Sequence, residues 1–129
     1  QKTAVALGTS DNADCKAIAV SLGKSIEGLG ASTISIMESF SKNPQEPFAV
    51  SVPYLMQFGT VAGGWQMGAA ALVSANKLKA GSGDADFYKA KIATARFYAE
   101  HILPRAQALK MEVTSGAGSV LALDEAMFG

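Results

Sequence analysis

The side chains with the greatest chemical reach in this sequence are few: one histidine, one cysteine and two arginines. His101 is the only residue whose ordinary pKa lies near neutrality. A histidine that works as general acid or base has an orienting carboxylate. Its neighbour Glu100 points about 100° away on a helix. Positions 97, 98, 104 and 105, which share its helical face, hold Phe, Tyr, Pro and Arg. His101 therefore reads as a surface or interface histidine. Arg96 and Glu100, four apart, read as an exposed pair worth a few tenths of a kcal/mol. Arg96, Arg105 and Lys91 lack a second anchoring element for an anion. Cys15 falls on an apolar helical seam, which suits a small core residue better than a nucleophile. One Cys and one His cannot complete a zinc cage. Asp124 and Glu125 are adjacent and project in different directions, so they form no acid/base pair. "GTVAGG" (Gly59–Gly64) lacks the GK[ST] ending of a phosphate loop.

With so little machinery, the sequence must be read for the elements that carry it. The 129 residues fit one domain, expected over 1–129. They are 49% hydrophobic but only 8% aromatic, with much Ala and Gly, which favours closely approaching helices over a sheet. Eleven basic and eleven acidic residues cancel, which speaks against nucleic acid and a basic membrane-binding face. A single cysteine permits no internal disulfide and suits a reducing compartment, so a cytoplasmic location is expected. The chain opens on Gln1 with no signal-peptide pattern, as a mature form or a piece of a longer protein would.

Three long helical patterns follow. The first runs from about Asp11 to Lys42, with Cys15, Ile18, Leu22, Ile26, Leu29, Thr33, Ile36 and Phe40 as its seam. Gly28 and Gly30 mark a bend or a close crossing. The second runs from about Val52 to Lys79, with Ser51 as a candidate cap and Pro53 in the first turn. Its expected seam is Leu55, Phe58, Ala62, Trp65, Ala69 and Leu72. Helical pattern upstream through Pro47–Val50 is left open. Within this helix Tyr54–Ser74 carries no charge and has the length of a membrane span. Gln57, Gln66 and the many Ala and Gly residues favour a buried bundle helix instead. Gly59 and Gly63 are then a tight crossing, with Trp65 filling the space beside them. The third pattern begins at Asp84 or Asp86 and ends near Lys110. Its seam is Tyr88, Ile92, Ala95, Ala99, Ile102, Ala106 and Leu109. Pro104 lacks the amide that would bond to the Glu100 carbonyl and should bend this helix. Asp124 is placed to cap a last turn, Glu125–Phe128. The expected fold is all-α, an antiparallel bundle of three long helices with short terminal helical pieces.

"FYKAKIATARFYAEHILPRA" (Phe87–Ala106), "VLALDEAMF" (Val120–Phe128) and "PYLMQFGTVAGGWQMGAAAL" (Pro53–Leu72) resemble the extra C-terminal domain of certain bacterial acyl-CoA dehydrogenases. The resemblance covers most of Pro53–Phe128. It implies a parent flavoenzyme that uses FAD to oxidise an acyl-CoA to a 2-enoyl-CoA. It also implies electrons leaving through an electron-transfer flavoprotein and a homo-oligomeric assembly. The family's catalytic glutamate comes from upstream of the extra domain. No Glu here matches its motif, so no catalytic residue and no FAD or CoA contact is carried over. The expectation is a non-catalytic module packing on the catalytic body or a dimer partner. Trp65, Phe97, Tyr98, His101 and Arg105 are its candidate docking residues. The alternatives are a stand-alone bundle that binds a small molecule near the second helix's glycines and Pro104, and a protein-interaction module.

Overall fold

A computed structural model describes all residues, 1–129. In order the helices are α1 (Lys2–Gly8), α2 (Ala13–Lys42), α3 (Gln45–Ala49), α4 (Ser51–Lys79), α5 (Ala85–Phe97), α6 (Arg105–Ser115) and α7 (Ala117–Val120). A π turn, Tyr98–Ile102, joins α5 to α6, and a 3-10 turn covers Glu125–Phe128. There is no strand. The bundle is built on α2, α4 and the α5–α6 unit, as the three helical patterns require.

Local chemistry sets the ends. Asn12 Oδ1 accepts the Cys15 amide and starts α2, and Asp84 Oδ1 accepts the amides of Asp86 and Phe87 and starts α5. Ser51 does not cap α4. Its hydroxyl donates back to the Phe48 carbonyl, because Val50 links α3 almost directly to α4. The Pro47–Val50 stretch is thus the end of a separate short helix rather than a continuation of α4. Asp124 makes no side-chain cap. The last turn closes instead through its carbonyl, which accepts the Met127 amide. The third helix does break at Pro104. Before it, the Leu103 amide reaches back five residues to the Tyr98 carbonyl, 3.0 Å. This widened turn brings Leu103, not Ile102, into the core.

Two contacts fix α2 and α4 as antiparallel. Lys79 and Asp11 pair at one end, and the Thr33 and Tyr54 hydroxyls meet at 2.9 Å toward the other. Residues 28–37 of α2 and 51–76 of α4 carry no charge. Charges lie at both ends: Asp11, Asp14, Lys77, Lys79, Asp84 and Asp86 where α2 begins, α4 ends and α5 begins, and Glu38, Lys42, Glu46, Lys110 and Glu112 toward the opposite end. The bundle therefore has a charged end marked by the Asp11–Lys79 pair and an opposite end where charged residues stand beside the uncharged first turns of α4.

The core is centred on Leu7, Ile18, Leu22, Ile92 and Leu103, with Cys15, Ala71, Ala95 and Ala99 between them. Full burial of each large side chain contributes about 1.5–3 kcal/mol. In α2 the expected seam holds through Leu22. Beyond it the buried positions are Ser25, Gly28 and Ser32, and Phe40 lies exposed. In α4 the expected seam is overturned. The buried residues are Gln57, Val61, Gly64, Gly68, Ala71 and Ser74, whereas Leu55, Phe58 and Trp65 face outward. Of the expected crossing glycines, Gly63 does lie tight, against the Tyr98 ring, but Gly59 does not. A side chain added at Gly59 would meet nothing. A Cβ on Gly64 would come within 2.6 Å of Leu103, and one on Gly68 within 2.8 Å of Leu7. Tyr98 and Leu103, not Trp65, fill the space beside Gly63 and Gly64. The glycines of α4 make room there for large side chains of the neighbouring helices.

Candidate docking surface

The five candidate docking residues lie at mid-height on the bundle, and they divide by environment. Trp65 is half exposed on α4, and its indole N–H donates to Thr3 Oγ1 of α1 at 2.9 Å. Phe97 and His101 are exposed one turn apart, their rings 4.6 Å apart and tilted by 30°. Arg105 follows on α6, exposed. Tyr98 is turned inward: its hydroxyl donates to the Thr60 carbonyl at 3.0 Å, and burial pushes its pKa up. The fold therefore brings Phe97, His101 and Arg105 together in sequence order and sets Trp65 against α1.

No catalytic constellation forms around His101. Its ring contact is Phe97, and Glu100 is engaged by Arg96 at 2.6 Å. The Arg96 guanidinium also reaches Asp14 at 3.4 Å, so this pair ties α5 to the start of α2. Cys15 is fully buried, and burial pushes its thiol pKa up, which keeps it protonated and unreactive. No group of three or more His, Cys, Asp or Glu side chains is placed to hold a metal ion.

The largest cleft, about 580 Å³, lies at the charged end between the α1–α2 turn and the last turns of α4. Thr9, Ser10, Asp11, Asn12, Asn76 and Lys79 provide its polar lining. The Asp11–Lys79 pair sits at its mouth, and the Lys79 ammonium holds the Asp11 carboxyl below its usual range. The cleft has no aromatic wall on which a flavin ring would stack. Its residues do not fit FAD, and no flavin contact is assigned to this chain.

What the surface offers instead is apolar area. Ile34, Met37 and Phe40 of α2, Phe48 of α3, and Val52, Leu55, Met56 and Phe58 of α4 are all exposed. They lie on the half of the bundle that holds the end of α2, α3 and the first turns of α4. Val120, Leu123, Met127 and Phe128 are exposed as well, and α7 packs on α3 near that end. Isolated exposed apolar side chains are ordinary; within this set the Phe40 and Phe48 rings meet, with centroids 6.4 Å apart. Periodicity missed this set because it assigned Leu55, Phe58 and Phe40 to the interior. The signal present in the sequence was the missing charge on every side of α4. No helix is long and apolar enough to cross a membrane.

The chain is thus an all-helical bundle with small-residue crossings and several exposed large apolar side chains. Comparison with known proteins says which kind. Residues 2–124 match the model of the family described as acetyl-CoA dehydrogenase C-terminal like, and the chain belongs to that family. A similar protein is 3-methylmercaptopropionyl-CoA dehydrogenase of Ruegeria pomeroyi, 36% identical over 104 residues. The match takes in 81% of this chain but only 18% of that protein, so the chain spans about a fifth of the relative's length.

Proposed function

We propose that this chain is the C-terminal accessory domain of a FAD-dependent acyl-CoA dehydrogenase. The parent oxidises an acyl-CoA to the 2-enoyl-CoA and passes electrons to an electron-transfer flavoprotein. The domain, residues 1–129, performs none of the chemistry. It packs on the catalytic body or the dimer partner in a cytoplasmic homo-oligomer and limits the acyl or CoA pocket from outside. The observation that carries this reading is the family match over residues 2–124, in a domain that exposes many large apolar side chains. The relative's name supports the acyl-CoA class of substrate, and its greater length supports a separate catalytic body. Trp65, Phe97, His101 and Arg105 are the docking residues at mid-height, with Tyr98 positioning them from within.

Deletion from Gln1 onward in the full-length polypeptide tests the reading. The expected result is lost assembly, reduced flavin content or a changed acyl range. Normal assembly, flavin content and substrate range in the deletion would overturn it.

A further inference from the structure

Helix α1 occupies only half of a groove. It lies between α2 and α4 and runs parallel to α4: Thr3 meets Trp65 and Leu7 packs on Gly68. On α2 it runs the opposite way, with Gln1, Ala4 and Val5 beside Gly23 and Ile26, and Gly8 beside Ala19. It therefore starts at mid-height and climbs toward the charged end.

The stripe on α2 that receives α1 does not stop where α1 begins. Ala19, Gly23 and Ile26 are followed at the same alternating spacing by Gly30, Thr33 and Met37. Gly30 is exposed, and a side chain added there would meet nothing. Across the groove, Trp65 is followed one heptad down by exposed Phe58. The Thr33–Tyr54 hydrogen bond closes the floor between them. A glycine facing open solvent inside a helix costs about 1 kcal/mol relative to Ala. Close approach of another backbone is what gives such a glycine a use.

We propose that the residues immediately preceding Gln1 in the same polypeptide extend α1 backwards as a helix seated in this open half-groove. The inference rests on the reading of this chain as the C-terminal part of a longer enzyme. It is argued from continuity and direction. The groove is one helix wide, its other half already holds α1, and the first residue of α1 points down its axis. From the level of Trp65 to that of Tyr54 takes about ten helical residues, or roughly 15 Å. The segment carries small residues against Gly30 and apolar residues against Met37 and Phe58. It connects the catalytic body to the bundle as a rigid lever rather than a loose linker.

Hydroxyl-radical footprinting of the full-length polypeptide tests this with matched pairs. Met37 and Met111 are 69% and 70% exposed, and Phe58 and Phe87 are 52% and 53% exposed. The expected result is modification of Met37 and Phe58 at least about threefold slower than of their partners, since a covered position excludes water. Hydrogen exchange should show protected amides over about ten residues upstream of Gln1, as a helix requires. Replacing that segment with a Gly/Ser linker of equal length should bring both pairs to matched rates. Gly30→Leu, which has room in the bundle alone, should strip the upstream protection while sparing α2 and α4. Matched rates in the unaltered polypeptide overturn the proposal. So does protection that survives the linker replacement, which would assign the groove to a second copy or to the catalytic body. Flavin content and acyl-CoA oxidation, measured on the same sample, judge the proposed function separately.

Discussion

The two long apolar helices of this bundle obey different rules. The α5–α6 helix buries Ile92, Ala95, Ala99, Leu103, Ala106 and Val113, close to the face its pattern marks. Away from that face it carries exposed Lys89, Glu100 and Arg105, so desolvation leaves it one orientation. Helix α4 carries no charge over residues 51–76 and is apolar all round. Its larger side chains mark one stripe, and the structure turns Leu55, Phe58 and Trp65 of that stripe outward. Gly64 and Gly68 set the orientation instead, because only glycine lets α4 approach Leu103 and Leu7 this closely. Charge on one face orients a helix strongly, whereas apolar pattern alone orients it weakly when every face is tolerable inside.

The comparison is best broken with one side chain type on both helices. Leu103→Ala empties a fully buried position and should cost about 2–5 kcal/mol in chemical denaturation. Leu55→Ala, on the outward stripe of α4, should change stability of the 129-residue chain by less than about 0.5 kcal/mol. Equal losses would mean that the stripe is core after all.

Two glycine substitutions sharpen the same point. Gly64→Val forces its side chain against Leu103 and should destabilise by about 1–3 kcal/mol. Gly59→Ala, with nothing nearby, should stabilise α4 by up to about 1 kcal/mol. A smaller effect is expected at the start of α5. Asp84→Ala removes the acceptor for two amides and should cost about 1 kcal/mol, visible as faster exchange at Asp86 and Phe87.

The smallest effect belongs to the charged end. Lys79 depresses the Asp11 pKa, so the pair favours the folded chain above the unfolded carboxylate range. That contribution is lost as pH falls through the folded-state pKa. Both groups are fully exposed and screened, so Lys79→Met should move the Asp11 titration upward by NMR while barely changing the unfolding midpoint.

Much of the fold was legible because its signals are local. Asp84 before an amphipathic run marks a helix start and Pro104 marks a break, whereas Asn12, the cap of α2, was not singled out. The short α1 was not anticipated, since seven residues with no side-chain cap give little periodicity. The candidate site was less legible. His101 and Phe97 could be placed on one helix, but Tyr98 turns inward because it lies three residues after buried Ala95 and its hydroxyl finds the Thr60 carbonyl.

Composition and order of residues determined that this chain is all-helical, where its long helices begin and break, and which family it belongs to. These follow from backbone propensity, capping and a run of matched residues, none of which needs a distant partner. Only the tertiary structure decided which face of α4 is inside and that α1 fills half a groove. It also decided which large apolar side chains stay exposed. Those depend on which glycine meets which neighbour across the bundle, a contact that no single helix contains.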